Sequence, residues 1–228
     1  MSSPKKVECP SNNKLGACPA LLFGDPKTAT MGIIVLQEWW GVNQQIQDCS
    51  KDICSKTNMV TLVPDLYRGQ VATDNETAGH YMGQLDWQGA IEDIRASAKY
   101  LKSQGCKKVG VTGFCMGGAL SMAAAALVPE IDAAAPFYGI PSDQLCDVST
   151  IKIPLQCHFA EKDETKGFAS PDEWKPLKKK LEGSVKHLEF YVYEAGHAFT
   201  NKTGPNYNEN CCNLALSRML QFFQKTLS

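Results

Sequence analysis

The chain has no apolar run approaching the length of a membrane span, and Met1 to Pro10 lacks the hydrophobic core of a secretory signal. A soluble, cytoplasmic protein is expected. Neither sign of charge is in excess: 23 Lys and Arg stand against 24 Asp and Glu, a formal net charge of -1. This balance gives no reason to expect nucleic acid or an anionic membrane as a partner. Histidine is scarce, with four in 228 residues and none paired at ligand spacing. Cys49 and Cys54 stand too far apart for a Cys-x-x-Cys pair, so neither a metal nor another cofactor is expected. Internal repeats, low-complexity tracts and linkers are also missing, and residues 1–228 read as a single domain. A monomer is the working expectation.

Cysteine is plentiful, at ten residues. The cysteines are dispersed through predicted strands and helices with no secretory segment, which favours reduced thiols over a disulfide framework. Cys9 with Cys18, and Cys211 with Cys212, are the ones placed for oxidation.

The most informative stretch is Lys108 to Leu120. A β-branched run feeds Gly113, two glycines follow Cys115, and an Ala/Met/Leu-rich helix begins at once. Cys115 is therefore predicted at the tip of a sharp strand-to-helix turn, the setting of a nucleophile elbow with Cys in the Ser position. The helix N-terminus behind it favours a thiolate and a developing oxyanion.

Around this stretch the pattern alternates between strands and helices. The segment to Asp25 reads as irregular, with Ala20 to Phe23 as an edge strand. Buried-type strands are predicted at Ile33 to Leu36 and Met59 to Val63, and further strands at Ala133 to Tyr138, Leu155 to Phe159 and Leu188 to Tyr193. Helices are predicted at Gln44 to Lys56, Trp87 to Ser103 and about Asn208 to Thr226, and Asp74 to Gly83 reads as loop and short helix. The alternation calls for an α/β fold, a mostly parallel sheet with helices on both faces. In such sheets ligands bind beyond the carboxyl ends of the strands.

Two of those loops carry chemistry. Glu161, Asp163 and Glu164 follow one strand, and His197 follows the last. The order nucleophile, acid, histidine is that of the α/β-hydrolase triad. His197 would be the base and acid, because its ordinary pKa lies near neutrality. Asp163 would hold the imidazole tautomer, with Glu161 and Glu164 as competitors.

Four motifs in order, Gln37-Glu38-x-x-Gly41-Val42-Asn43, Pro64-Asp65-Leu66-Tyr67, Gly113-Phe114-Cys115-Met116-Gly117-Gly118 and Glu194-Ala195-Gly196-His197-x-Phe199, resemble the dienelactone hydrolase (carboxymethylenebutenolidase) family of α/β-hydrolases. The resemblance implies a catalytic triad of Cys115, Asp163 and His197, with Glu38 beside a resting thiol that stays protonated. It also implies an oxyanion hole from the backbone N–H groups of Trp39 and Met116. The bacterial enzymes that give the family its name hold a substrate carboxylate with arginines, one of them at the place of Asn201, so an anionic lactone is not the expected substrate here. Trp39, Trp40, Tyr67, Tyr81, Phe114 and Phe199 suggest an aromatic pocket instead, with Arg68 and Lys202 as weaker anion contacts or solvated charges.

The expected function is a cysteine-dependent carboxylic ester hydrolase acting on small esters or lactones through an acyl-enzyme on Cys115. The alternative is a small-molecule binding or redox-sensing protein that uses Cys115 as a reactive thiol.

Overall fold

The computed structural model describes residues 3–228. Eight strands, β1 (Lys5–Cys9), β2 (Cys18–Phe23), β3 (Met31–Leu36), β4 (Val60–Pro64), β5 (Lys108–Phe114), β6 (Ala133–Phe137), β7 (Leu155–Ala160) and β8 (Leu188–Tyr193), form one sheet in the order β1-β2-β4-β3-β5-β6-β7-β8. From β4 to β8 every pairing is parallel, whereas β1 and β2 join antiparallel at one end. Six helices accompany it: α1 (Gln44–Lys56), α2 (Asn75–Gln84), α3 (Trp87–Ser103), α4 (Met116–Leu127), α5 (Pro171–Glu182) and α6 (Glu209–Leu227). Among the described residues no helix is long and apolar enough to cross a membrane.

Side-chain alternation along the strands builds two cores. In β3, Ile34 and Leu36 join Ile94 and Leu101 of α3 and Leu120 of α4 on one face, and Leu181 of α5 lies in the same core. Ile33 and Val35 point the other way, into a core with Ile46 and Ile53 of α1 and Met219 and Phe223 of α6. Because both faces are covered, the central strands are apolar on both sides, which is why they read as continuous apolar runs.

The N-terminal segment departs from the sequence reading. It is not irregular, since Lys5–Cys9 forms edge strand β1, and the strand expected at that edge lies inside the sheet between β1 and β4. Exposed Lys5, Lys6 and Glu8 on β1 hid the strand signal, and charges of this kind protect an open edge from pairing with another chain. The stretch from Asp74 is a full helix, because the Asp74 carboxylate accepts a hydrogen bond from Thr77 N at 2.8 Å and caps α2.

One buried polar group sets a pH dependence. His158 on β7 is fully buried, stacked on Phe137, with its ring nitrogens 2.8 Å from Tyr193 Oη and 2.9 Å from Gln156 Oε1. Burial, aided by the nearby Arg218 charge, pushes its pKa down to about 3. The unfolded chain binds a proton here below about pH 6.5 that the folded chain refuses. Stability is then complete above 6.5 and falls by about 1.4 kcal/mol per pH unit as pH drops toward 3. An NMR titration should find the His158 imidazole still neutral at pH 5; a protonated ring there would contradict this.

Candidate active site

The turn after β5 is tight because backbones, not side chains, meet there. A Cβ on Gly113 would strike the carbonyl oxygen of Gly117, and one on Gly117 would strike the carbonyl oxygen of Gln37. Cys115, between them, adopts φ 54 and ψ -115 and directly precedes α4. A non-glycine residue in such a conformation costs on the order of 1–3 kcal/mol, which the surrounding contacts must offset. Cys115 N donates to Phe137 O at 3.1 Å, and Ala119 N donates to Cys115 O at 3.1 Å.

The loops after β7 and β8 bring the acid and the histidine to this thiol. Of the three carboxylates after β7, only Asp163 is buried, while Glu161 and Glu164 face solvent. Asp163 Oδ1 accepts from Thr165 N at 2.9 Å, and Oδ2 lies 2.7 Å from His197 Nδ1. The opposite ring nitrogen, Nε2, lies 3.2 Å from Cys115 Sγ. With Nδ1–H donating its hydrogen bond to Asp163, Nε2 is left to accept a proton from the thiol. Burial opposes the imidazolium, but the hydrogen bonds of Asp163 and Cys115 and the charges of the Asp163 carboxylate and of a Cys115 thiolate outweigh it and push His197 up to about 10, so a proton that crosses from the sulfur is held on the ring. For Asp163, burial works against the carboxylate, yet the bonds from His197 and Thr165 hold it below the usual range.

Glu38 follows β3 and is 3 % exposed. Its Oε2 accepts from Asn201 Nδ2 at 2.6 Å, and its Oε1 lies 3.5 Å from Tyr138 Oη, which is 2.7 Å from Thr200 Oγ1. Burial raises the carboxyl to about 7, and the bonds from Asn201 and Tyr138 and the His197 charge only partly counter it. The sequence reading set Glu38 beside the resting thiol; here the sulfur has His197 as its hydrogen-bond partner, and Glu38 has Asn201 and Tyr138. Tyr138 was not among the sequence candidates for the site. Its place directly beyond the carboxyl end of β6 was the available signal.

A cleft of about 450 Å³ opens over the thiol, lined by Glu38, Trp39, Trp40, Cys115, His197 and Asn201 together with residues the sequence did not single out, chiefly Met82 and Phe168. Trp39 and Trp40 meet edge to face, with centroids 5.2 Å apart. Four aromatics expected in the wall are elsewhere, among them Tyr81, which packs edge to face on Tyr67 outside the cleft lining. Phe114 and Phe199 are fully buried in the core with α1 and α6, and the Tyr67 hydroxyl lies 3.1 Å from Met116 Sδ outside the cleft lining. Arg68 is neither an anion contact nor a solvated charge. Its guanidinium grips Asp93 through two bonds of 2.9 Å, with the Asp93 side chain 1 % exposed. The backbone N–H groups of Trp39 and Met116 take no protein acceptor among the described residues.

A mostly parallel sheet with a cysteine at the strand-to-helix turn, and an aspartate and a histidine following later strands, is the α/β-hydrolase fold. The chain belongs to the dienelactone hydrolase family, whose model matches residues 19–227. It is 37% identical over 199 residues to protein usf of Aquifex pyrophilus, covering 82% of this chain and 84% of that one. It is 30% identical over 215 residues to carboxymethylenebutenolidase of Pseudomonas putida, covering 88% and 89%. Among solved structures, a candidate dienelactone hydrolase of Klebsiella pneumoniae superposes with a TM-score of 0.82 over 97% of this chain and 98% of that one. At 23% identity that likeness speaks for the fold.

Proposed function

We propose that the protein is a cysteine-dependent hydrolase of small esters or lactones that works through an acyl-enzyme on Cys115. The observation that carries this reading is the unbroken chain from Asp163 through His197 to Cys115, at 2.7 and 3.2 Å. His197 Nε2 takes the thiol proton as Sγ bonds to the substrate carbonyl carbon. The carbonyl oxygen becomes an oxyanion, held by the free N–H groups of Trp39 and Met116. As the carbonyl re-forms, the C–O bond to the alcohol breaks and the imidazolium gives that oxygen its proton. Water then gives a proton to His197 and its hydroxide to the thioester carbon, and the sulfur leaves and recovers the proton.

Thiolate is a good nucleophile and a good leaving group, which suits activated esters and lactones better than amides. Glu38 acts electrostatically: when ionised it sets a fixed negative charge in the same cleft as Cys115 and His197. The family supports hydrolysis in general, and the largely apolar, Trp-lined cleft beside the thiol supports small acyl substrates. Purified protein should release nitrophenol from nitrophenyl acetate and butyrate catalytically. Failure to turn over these or any of a panel of simple lactones would overturn the reading.

A further inference from the structure

Lysine and arginine are missing from the cleft. Of the described residues that line it, none is Lys or Arg, and the ionisable ones are Glu38, Cys115 and His197. Of the cations on or near the site loops, none lines the cleft, and Lys166 beside Thr165 is exposed to solvent. Arg68 is bound to Asp93, Lys162 pairs with Glu194 at 2.9 Å, and Lys202 lines a separate cavity beside Asp48 and Leu216. His197 is matched by Asp163 at 2.7 Å.

Glu38 is therefore the one charge-bearing group of the cleft without an opposite charge bonded to it, and its hydrogen-bond partners, Asn201 and Tyr138, are neutral. Asn201 is locked in that role. Its Oδ1 accepts from Thr203 N at 3.0 Å and from Thr203 Oγ1 at 2.8 Å, which turns the amide so that Nδ2 faces Glu38. Much of the remaining wall is apolar, with Trp39, Trp40, Met82, Phe168 and Pro205.

We propose that this cleft selects uncharged esters and lactones and turns away acids, with Glu38, held by Asn201, as the specificity-determining residue. The proposal rests on the cleft being the substrate site of the hydrolase described above. An entering carboxylate would shed water, find no Lys or Arg and a His197 ring already matched by Asp163, and meet the carboxylate of Glu38 at low dielectric. A neutral group loses little on leaving water and gains contact with the indole rings. Discrimination thus comes from a repulsive element as well as from an attractive wall.

Iodoacetamide and iodoacetate test this directly, because they are nearly equal in size and differ in charge. Each forms a carbon–sulfur bond with the thiolate and expels iodide. At an alkaline pH, where Glu38 is ionised, rates at Cys115, read by peptide mass mapping and divided by the same reagent's rate with 2-mercaptoethanol, should favour iodoacetamide by about tenfold or more, a ratio worth about 1.4 kcal/mol. In Glu38→Gln the normalised ratio should fall toward one. A wild-type ratio near one or favouring iodoacetate overturns the proposal, and this result needs no variant. An unchanged ratio in folded Glu38→Gln overturns the role of Glu38. Nitrophenyl ester turnover is read separately: its absence with the alkylation ratio intact strikes the hydrolase reading alone, whereas equal kcat/KM for neutral and carboxylate-ended esters of one chain length strikes the selection alone.

Discussion

Cys115→Ala should reduce ester turnover by about 10⁴-fold or more, to what binding and the oxyanion donors supply without a nucleophile. The substitution removes one sulfur atom from a residue 9 % exposed and leaves the backbone bonds to Phe137 O and from Ala119 N in place. The fold should therefore survive, and the melting temperature should change little. Cys115→Ser keeps a nucleophile in the same place but gives it a far less acidic proton. Turnover at least about a thousandfold below wild type, yet above the Ala variant, is expected. Steady-state kinetics on nitrophenyl butyrate measure all three. Full activity in Cys115→Ala would remove the thiol from the reaction.

Asp163→Asn should be nearly as damaging, at about 10⁴-fold in kcat. The carboxylate is nearly isosteric with the amide, and Oδ1 can still accept from Thr165 N. What is lost is the acceptor 2.7 Å from His197 Nδ1. An amide nitrogen there would donate to Nδ1, moving the ring proton to Nε2 and leaving the nitrogen that faces Cys115 Sγ unable to act as a base. The pKa of His197, raised in part by Asp163, should fall as well, and the pH profile of the residual activity reports it. Glu161→Gln and Glu164→Gln serve as controls, since both side chains face solvent and should leave turnover near wild type.

These variants also mark how much of the site could be read from sequence. The strands that lead to Cys115 and Asp163 were legible because buried parallel strands are apolar on both sides, and the half-buried edge strand before His197 was legible from its β-branched and aromatic residues. The choice of Asp163 over its neighbours was not legible from spacing; it is burial that separates them. Phe114 and Phe199 show the limit of adjacency. Each stands within two residues of a reactive one, yet a turn separates Phe114 from the cleft, and Phe199 packs under Tyr138 and Tyr193.

Long-range polar pairs were beyond the sequence altogether. Arg68 finds Asp93 on α3 and Asn201 finds Glu38 beyond β3, and no local pattern announces either bond. Strand β1 escaped notice because its exposed Lys and Glu side chains protect an open edge and, for the same reason, erase the apolar alternation that identifies inner strands.

The central claim is that the acyl group passes through Cys115. The most direct test mixes the protein with nitrophenyl pivalate, whose hindered acyl group slows the second step, quenches in acid within the burst, and maps the peptides by mass. The account expects one equivalent of nitrophenol in the burst and a single pivaloyl group on the peptide carrying Cys115, gone after a chase in buffer. Steady turnover with no acyl group on that peptide, or with the acyl group on another residue, would contradict it.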